Sequence, residues 1–310
     1  MDIHSILAVT DLSPQGNRAV LRAAMLAAQH RALLKIMYAP EEFTAGSARA
    51  DAEHAAQQLA AEIHARFDIL VKRVASNGDA PLKAIAEEAR WVDMLVIGEH
   101  GRKRSAKAFF CSHPIERLQR AVPCPILLTR LEVFHRYRRI LVAVDFTPES
   151  KKLVKLAWSL DSDAQVELFH ALNTTFEGKL RYADVSEQAM KIYRHESLRD
   201  AHERLFWLSD SSTARRNRVV AAIGRGDVAR QAVIQQQHSN AELLVVGKRR
   251  SSGFSDFLFG SVAQRVLWWS SGDVLLVPHD LRIHPKPEVA ASVAAPRERV
   301  AALPATGEAT

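Results

Sequence analysis

Apolar residues along this chain fall in two rhythms. Short runs such as Ile6-Leu7-Ala8-Val9, Met94-Leu95-Val96-Ile97 and Ile126-Leu127-Leu128 show no polar alternation. That pattern fits strands buried on both faces, as in a parallel sheet. Between the runs, apolar positions recur at helical spacing. Val20, Leu21, Ala24 and Ala28 line one face, and Leu153, Leu156, Ala157 and Leu160 line another. The runs predict strands near 4–10, 33–38, 70–75, 94–98 and 125–129. A second set falls near 139–144, 165–170, 218–223, 243–247 and 274–277. Strands alternating with helices imply, in each set, a parallel sheet covered on both faces with right-handed crossovers.

The second set repeats the first. Ile6-Leu7-Ala8-Val9-Thr10-Asp11-Leu12-Ser13-Pro14 returns as Ile140-Leu141-Val142-Ala143-Val144-Asp145-Phe146-Thr147-Pro148. In both, a hydroxyl residue before Pro predicts a helix start, with the hydroxyl as cap and Pro in the first turn. Gly78-Asp79 returns as Gly226-Asp227, and Asp93 to Gly98 as Glu242 to Gly247. The offset grows from 134 at the first Asp to 149 at the late Gly, placing about 15 extra residues around 172–217. The chain therefore reads as domains at 1–133 and 134–279, joined by a linker near 131–138. A Pro- and Ala-containing tail at 280–310 has no periodicity and is expected to be disordered.

Composition narrows the class. The 310 residues are 47% hydrophobic and 25% charged, ordinary for a globular protein with a full core. No run of 18 apolar residues suggests a membrane span, and no secretory leader is visible. Two cysteines, Cys111 and Cys124, exclude a disulfide scaffold and a CxxC zinc site. A cytoplasmic home is the simplest expectation. The net charge of +7 is concentrated in residues 136–278, with 21 basic against 16 acidic side chains. That favours anions without requiring nucleic acid.

Chemistry is sought just after the strands, where open parallel sheets bind ligands. After the fourth strand of the second half comes Gly247-Lys-Arg-Arg-Ser-Ser-Gly253, and then Gly260-Ser261 opens an apolar-periodic helix. Glycine lets backbone N–H groups approach an anion, and a helix N-terminus adds unpaired donors. The repeat, the late glycine loop and the Gly-Ser helix start resemble the universal stress protein family over residues 3 to 278. The resemblance implies two tandem Rossmann-like (adenine nucleotide alpha hydrolase-like) α/β domains, each with a five-stranded parallel sheet between helices. It implies an adenine nucleotide such as ATP, with or without Mg, its phosphates on the Gly-x-x-Gly, nine-residue, Gly-Ser/Thr loop. The Asp ending strand one would lie near the ribose, and the backbone after strand two near the adenine.

Carried over to this chain, the second-half set is Asp145, Ala171, Gly247, Gly260 and Ser261. Arg250 stands where the motif has its second glycine; it could meet a phosphate, and Gly253 could supply flexibility three residues later. The first-half set is Asp11, Ala39, Gly98, Gly101 and Ser112, with Cys111 replacing the helix-start glycine. The alternative for every glycine is simply to turn the chain from sheet to helix. The two aspartates could instead cap turns, with catalysis the weaker reading. Cys111 could be a redox-sensitive thiol or a tolerated small residue; Cys124 reads as buried and inert.

The basic clusters Arg102-Lys103-Arg104 and Lys248-Arg249-Arg250 lack interleaved aromatics, so a solvated loop is their default reading. Trp268-Trp269 suggest packing or an interdomain contact. No Walker A sequence, GxSxG elbow, kinase signature or short His pair occurs. The expectation is a non-catalytic stress-response regulator that binds adenine nucleotide through its second half. A scaffold that binds no nucleotide is the alternative from another class, followed by a weak ATP hydrolase and then nucleic-acid association. Its partners would be the nucleotide and an unidentified protein. By resemblance, the two halves would also pair through their last strands; pairing of whole chains stays open.

Overall fold

A computed structural model describes residues 2–39, 47–75, 81–99, 114–172, 174, 177, 183, 185–210, 219–248 and 262–279. The first half runs β1 (Ser5–Thr10), α1 (Pro14–His30), β2 (Leu33–Tyr38), α2 (Ser47–Phe67) and β3 (Val71–Val74). It continues through α3 (Pro81–Glu88), β4 (Met94–Gly98), α4 (Pro114–Ala121) and β5 (Ile126–Thr129). The second half runs β6 (Arg139–Ala143), α5 (Ser150–Leu160), β7 (Gln165–Leu172), α6 (Glu187–Asp210) and β8 (Val219–Arg225). It closes with α7 (Val228–His238), β9 (Leu243–Lys248), α8 (Val262–Trp269) and β10 (Asp273–Pro278).

All ten strands form one sheet in the order β3-β2-β1-β4-β5-β10-β9-β6-β7-β8. Within each half the neighbours are parallel. The halves meet where β5 and β10 pair antiparallel, Val274 opposite Leu128 and Leu276 opposite Ile126. The apolar runs form the strands for the expected reason: every residue of β4 and β5 is buried. On one face the helical core is continuous across the seam, joining Val20 and Ala24 of α1 to Val154 and Ala157 of α5. The other face carries two cores. Ile115 of α4 packs into the second-half core, while Leu118 of the same helix packs into the first-half core.

Local chemistry sets the helix starts, and the two halves differ. Ser13 caps α1 as the sequence suggests, its Oγ accepting the Gly16 N–H at 3.1 Å with Pro14 in the first turn. Thr147 does not cap α5. Its hydroxyl donates to Asp145 Oδ1 at 2.6 Å, as does the Ser150 hydroxyl at 3.0 Å, and α5 begins only at Ser150. The Asp145 carboxylate thus takes up the hydroxyl that would have capped the helix.

The stretch joining the halves is pinned. Asp273, fully buried at the start of β10, accepts the backbone N–H groups of Arg130 and Leu131 at 2.7 and 2.9 Å on Oδ1. Its Oδ2 accepts the Tyr137 hydroxyl at 2.6 Å and faces Arg22 Nε of α1 at 3.6 Å. The Arg22 guanidinium lies 4.1 Å from the centre of the Tyr137 ring and donates to His135 O at 2.8 Å. One carboxylate therefore ties together the first helix, the connecting stretch and the last strand.

Candidate functional site

In each half the strand order reverses between the first and fourth strands, β1/β4 and β6/β9. That reversal opens a crevice beyond the carboxyl ends of the strands. Ala143 pairs with Val246, so Asp145 and Gly247 lie just past the β6/β9 ladder, Gly247 still paired with Val277 of β10. Val9 pairs with Ile97, and Asp11 and Gly98 lie just past the β1/β4 ladder, Gly98 still paired with Thr129 of β5. The topology thus brings each predicted Asp to the same crevice as its predicted glycine.

Each Asp is held by its own turn. Asp11 Oδ1 accepts the Ser13 N–H at 2.9 Å, and Asp145 Oδ1 accepts the Thr147 N–H at 3.1 Å. In both of these turns the intervening residue lies in the left-handed region. Leu12 has φ 67° and Phe146 φ 61°, a strained conformation for side chains of this size. Strain of that kind is tolerated where the surroundings over-determine it, and it often marks functional sites. Nothing in the sequence of Leu12 or Phe146 signals it.

The two glycines face different surroundings. A Cβ on Gly98 would stand 2.5 Å from Gln15 O and 3.2 Å from Gly16 N. The backbone at the start of α1 lies directly against it, so glycine is required there for helix-to-strand packing. A Cβ on Gly247 would first meet Leu153 Cδ1 at 3.2 Å, the far end of a flexible side chain.

The second-half crevice also has an aromatic wall that sequence reading missed. The His170 ring lies 4.1 Å from the Phe146 ring, and the Arg204 guanidinium of α6 sits 5.6 Å from the same ring. His170 Nδ1 donates to Val144 O at 2.8 Å, which leaves Nε2 as an acceptor while the ring is neutral. Burial lowers its pKa below 6.5, against the opposing pull of that backbone bond. Ala39 sits just past β2, its N–H donating to Thr10 O at 2.9 Å. Ala171 lies within β7 rather than after it, because that strand runs on to Leu172 and pairs Ala171 with Gly224. Gly101, Ser112, Arg250, Gly253, Gly260 and Ser261 lie outside the described residues, as do Cys111, Gly78-Asp79 and the tail.

Cys124 is buried, and desolvation pushes its thiol up to about 12. Trp268 is half-buried, while Trp269 is exposed with the Arg265 guanidinium 5.7 Å from its ring. Among the described residues no three His, Cys, Asp or Glu side chains come together as a metal site. No helix among them is long and apolar enough to cross a membrane.

The model of the universal stress protein family matches the chain twice, over residues 2–130 and 136–278. The chain belongs to the universal stress protein family. Its two matched stretches place a universal stress protein unit on each side of the antiparallel seam. Among solved structures, a universal stress protein from Archaeoglobus fulgidus DSM 4304 is similar at 15% identity and a TM-score of 0.61, covering 89% of this chain and 98% of that one. A functionally unknown protein from Pseudomonas aeruginosa PAO1 is similar at 22% identity and a TM-score of 0.59, covering 90% of this chain and 93% of that one. These likenesses show the tandem α/β fold. No curated protein matches the chain.

Proposed function

We propose that this universal stress protein is a non-catalytic stress-response regulator that binds an adenine nucleotide in the crevice of its second half. The observation that carries the reading is the placement of Asp145 and Gly247 on either side of the β6/β9 switch point, with Gly247 free of backbone crowding. The Asp145 carboxylate is held in place by Thr147 and Ser150 beside the crevice, where a ribose hydroxyl would lie. Phosphates would lie on the loop from Gly247 to Ser261, with Arg250 as a cationic contact. In the first half, Cys111 stands in place of the helix-start glycine, and its Cβ makes that crevice the poorer binder.

Thermal unfolding with and without excess Mg-ATP tests the reading. Binding to the native state stabilises it by about 2.7 kcal/mol at a hundredfold excess over Kd. A rise in Tm that disappears in Gly260→Asp supports the second-half site. No shift with ATP, ADP or AMP would favour the scaffold reading.

A further inference from the structure

The antiparallel seam turns the two halves head to tail, so the crevice end of one sheet lies beside the back end of the other. The helix that follows each glycine loop, α4 or α8, starts at its own half's crevice end. It finishes just before the last strand, at the end where the other half has its crevice. Cross-half contacts sit at both finishing points. Lys248, the residue after Gly247, donates its Nζ to Gln119 O near the C-terminus of α4. Glu99, the residue after Gly98, holds Arg130 through bonds of 2.6 and 3.1 Å. Arg130 in turn donates to Leu267 O of α8 at 2.5 Å and to Gly272 O at 3.0 Å. The two arrangements use different side chains in pseudo-symmetric places. In each, the first residue of one half's loop holds, by a cation, the C-terminal carbonyls of the other half's post-loop helix. Cations suit that end of a helix.

We propose that these contacts are a reciprocal latch that couples the two loops: displacing either post-loop helix moves the entry to the other half's loop. A helix of eight residues, about 12 Å long, is stiff enough to carry such a displacement. Packing supports the route, since α4 seats Ile115 in the second-half core and Leu118 in the first. By linkage, any effect of the first loop on the second is returned with equal free energy. The latch stands on these contacts alone; its use in signalling by a bound nucleotide rests on the function proposed above.

Hydrogen exchange across the full chain tests it, first without ligand. Lys248→Met should speed exchange of α4 by about fivefold, the loss of one helix-end cation. Glu99→Gln should speed exchange of α8 to a similar extent, although it touches that helix only through Arg130. β1 and β6 should keep their wild-type rates, and Lys248→Arg should restore α4. Wild-type exchange in both helices overturns the latch. A uniform rise that includes β1 and β6 overturns it too, because it marks general loosening. With Mg-ATP added, the wild type should slow exchange in α8 and α4 together. Slowing confined to α8 in the wild type overturns the coupling. No slowing anywhere counts against the nucleotide site and leaves the ligand-free comparison to decide the latch.

Discussion

Asp273 offers the sharpest test of how the halves are joined. Its carboxylate is fully buried, accepts three hydrogen bonds, and faces a guanidinium that is itself only 4% exposed. Truncation in Asp273→Ala removes all three bonds and leaves the Arg22 charge buried without its counter-charge. Breaking a buried pair from one side costs about 3–5 kcal/mol. A loss of about 4 kcal/mol would lower Tm by on the order of 10 °C for a unit of this size. Asp273→Asn keeps the shape and one acceptor oxygen but loses the charge, and should cost about 2 kcal/mol. The assay is urea unfolding of the wild type, both variants, Arg22→Met and the double variant Arg22→Met/Asp273→Asn. The double variant should lose at least about 1 kcal/mol less than the two singles together, because the first change removes the second's partner. If Asp273→Ala and Asp273→Asn both unfold within about 0.5 kcal/mol of the wild type, as ordinary surface changes do, the reasoning is refuted.

The remaining expectations concern single groups. Gly98→Ala should destabilise the chain by about 2 kcal/mol or more, because its Cβ meets backbone, while Gly247→Ala should cost under about 1 kcal/mol; paired denaturation curves decide. Burial lowers the pKa of His170, and likewise of His30, so the folded state favours the neutral rings. Their contribution is complete above about pH 6.5 and is lost as pH falls through the lowered folded values. Stability should therefore decline below neutrality, and His170→Gln should flatten that decline. The Cys124 thiol should resist alkylation in the native Cys111→Ser variant and react at once after unfolding. Burial and the neighbouring Asp273 raise the Tyr137 pKa well above 10, so in an alkaline absorbance titration one of the four tyrosines should ionise only on unfolding.

The strands were legible because each is buried on both faces. Met94 to Ile97 and Val274 to Val277 have no solvent side, so their apolar runs could be read without a partner. The repeat made the second half legible from the first. Legibility failed where one side chain competes for another. The Thr147-Pro148 pair looks like a cap, but whether its hydroxyl turns to the helix or to Asp145 depends on Ser150 reaching the same carboxylate. The join between the halves gave no hint of its anchoring, since Asp273 lies more than 130 residues from Tyr137. At the crevices, Asp11, Asp145, Gly98 and Gly247 followed from the repeat. The left-handed Leu12 and Phe146, the His170 ring and the reach of Arg204 depend on folded geometry that residue spacing does not encode.

The pairing of β5 with β10 has a consequence for how the two halves can diverge. In an assembly of separate chains, such a seam would loosen on dilution and its members could exchange. Here the partners are covalently joined, so association is a unimolecular event at a fixed effective concentration. A half cannot be traded for a better-matched copy, and no symmetric self-contact has to be preserved. Each side of the seam can then settle on a different residue at the same place: Asp273 anchors the connecting stretch, while the matching Cys124 is a buried thiol. The same freedom allows Gly98 to face helix backbone while Gly247 faces the Leu153 side chain, without any loss of assembly.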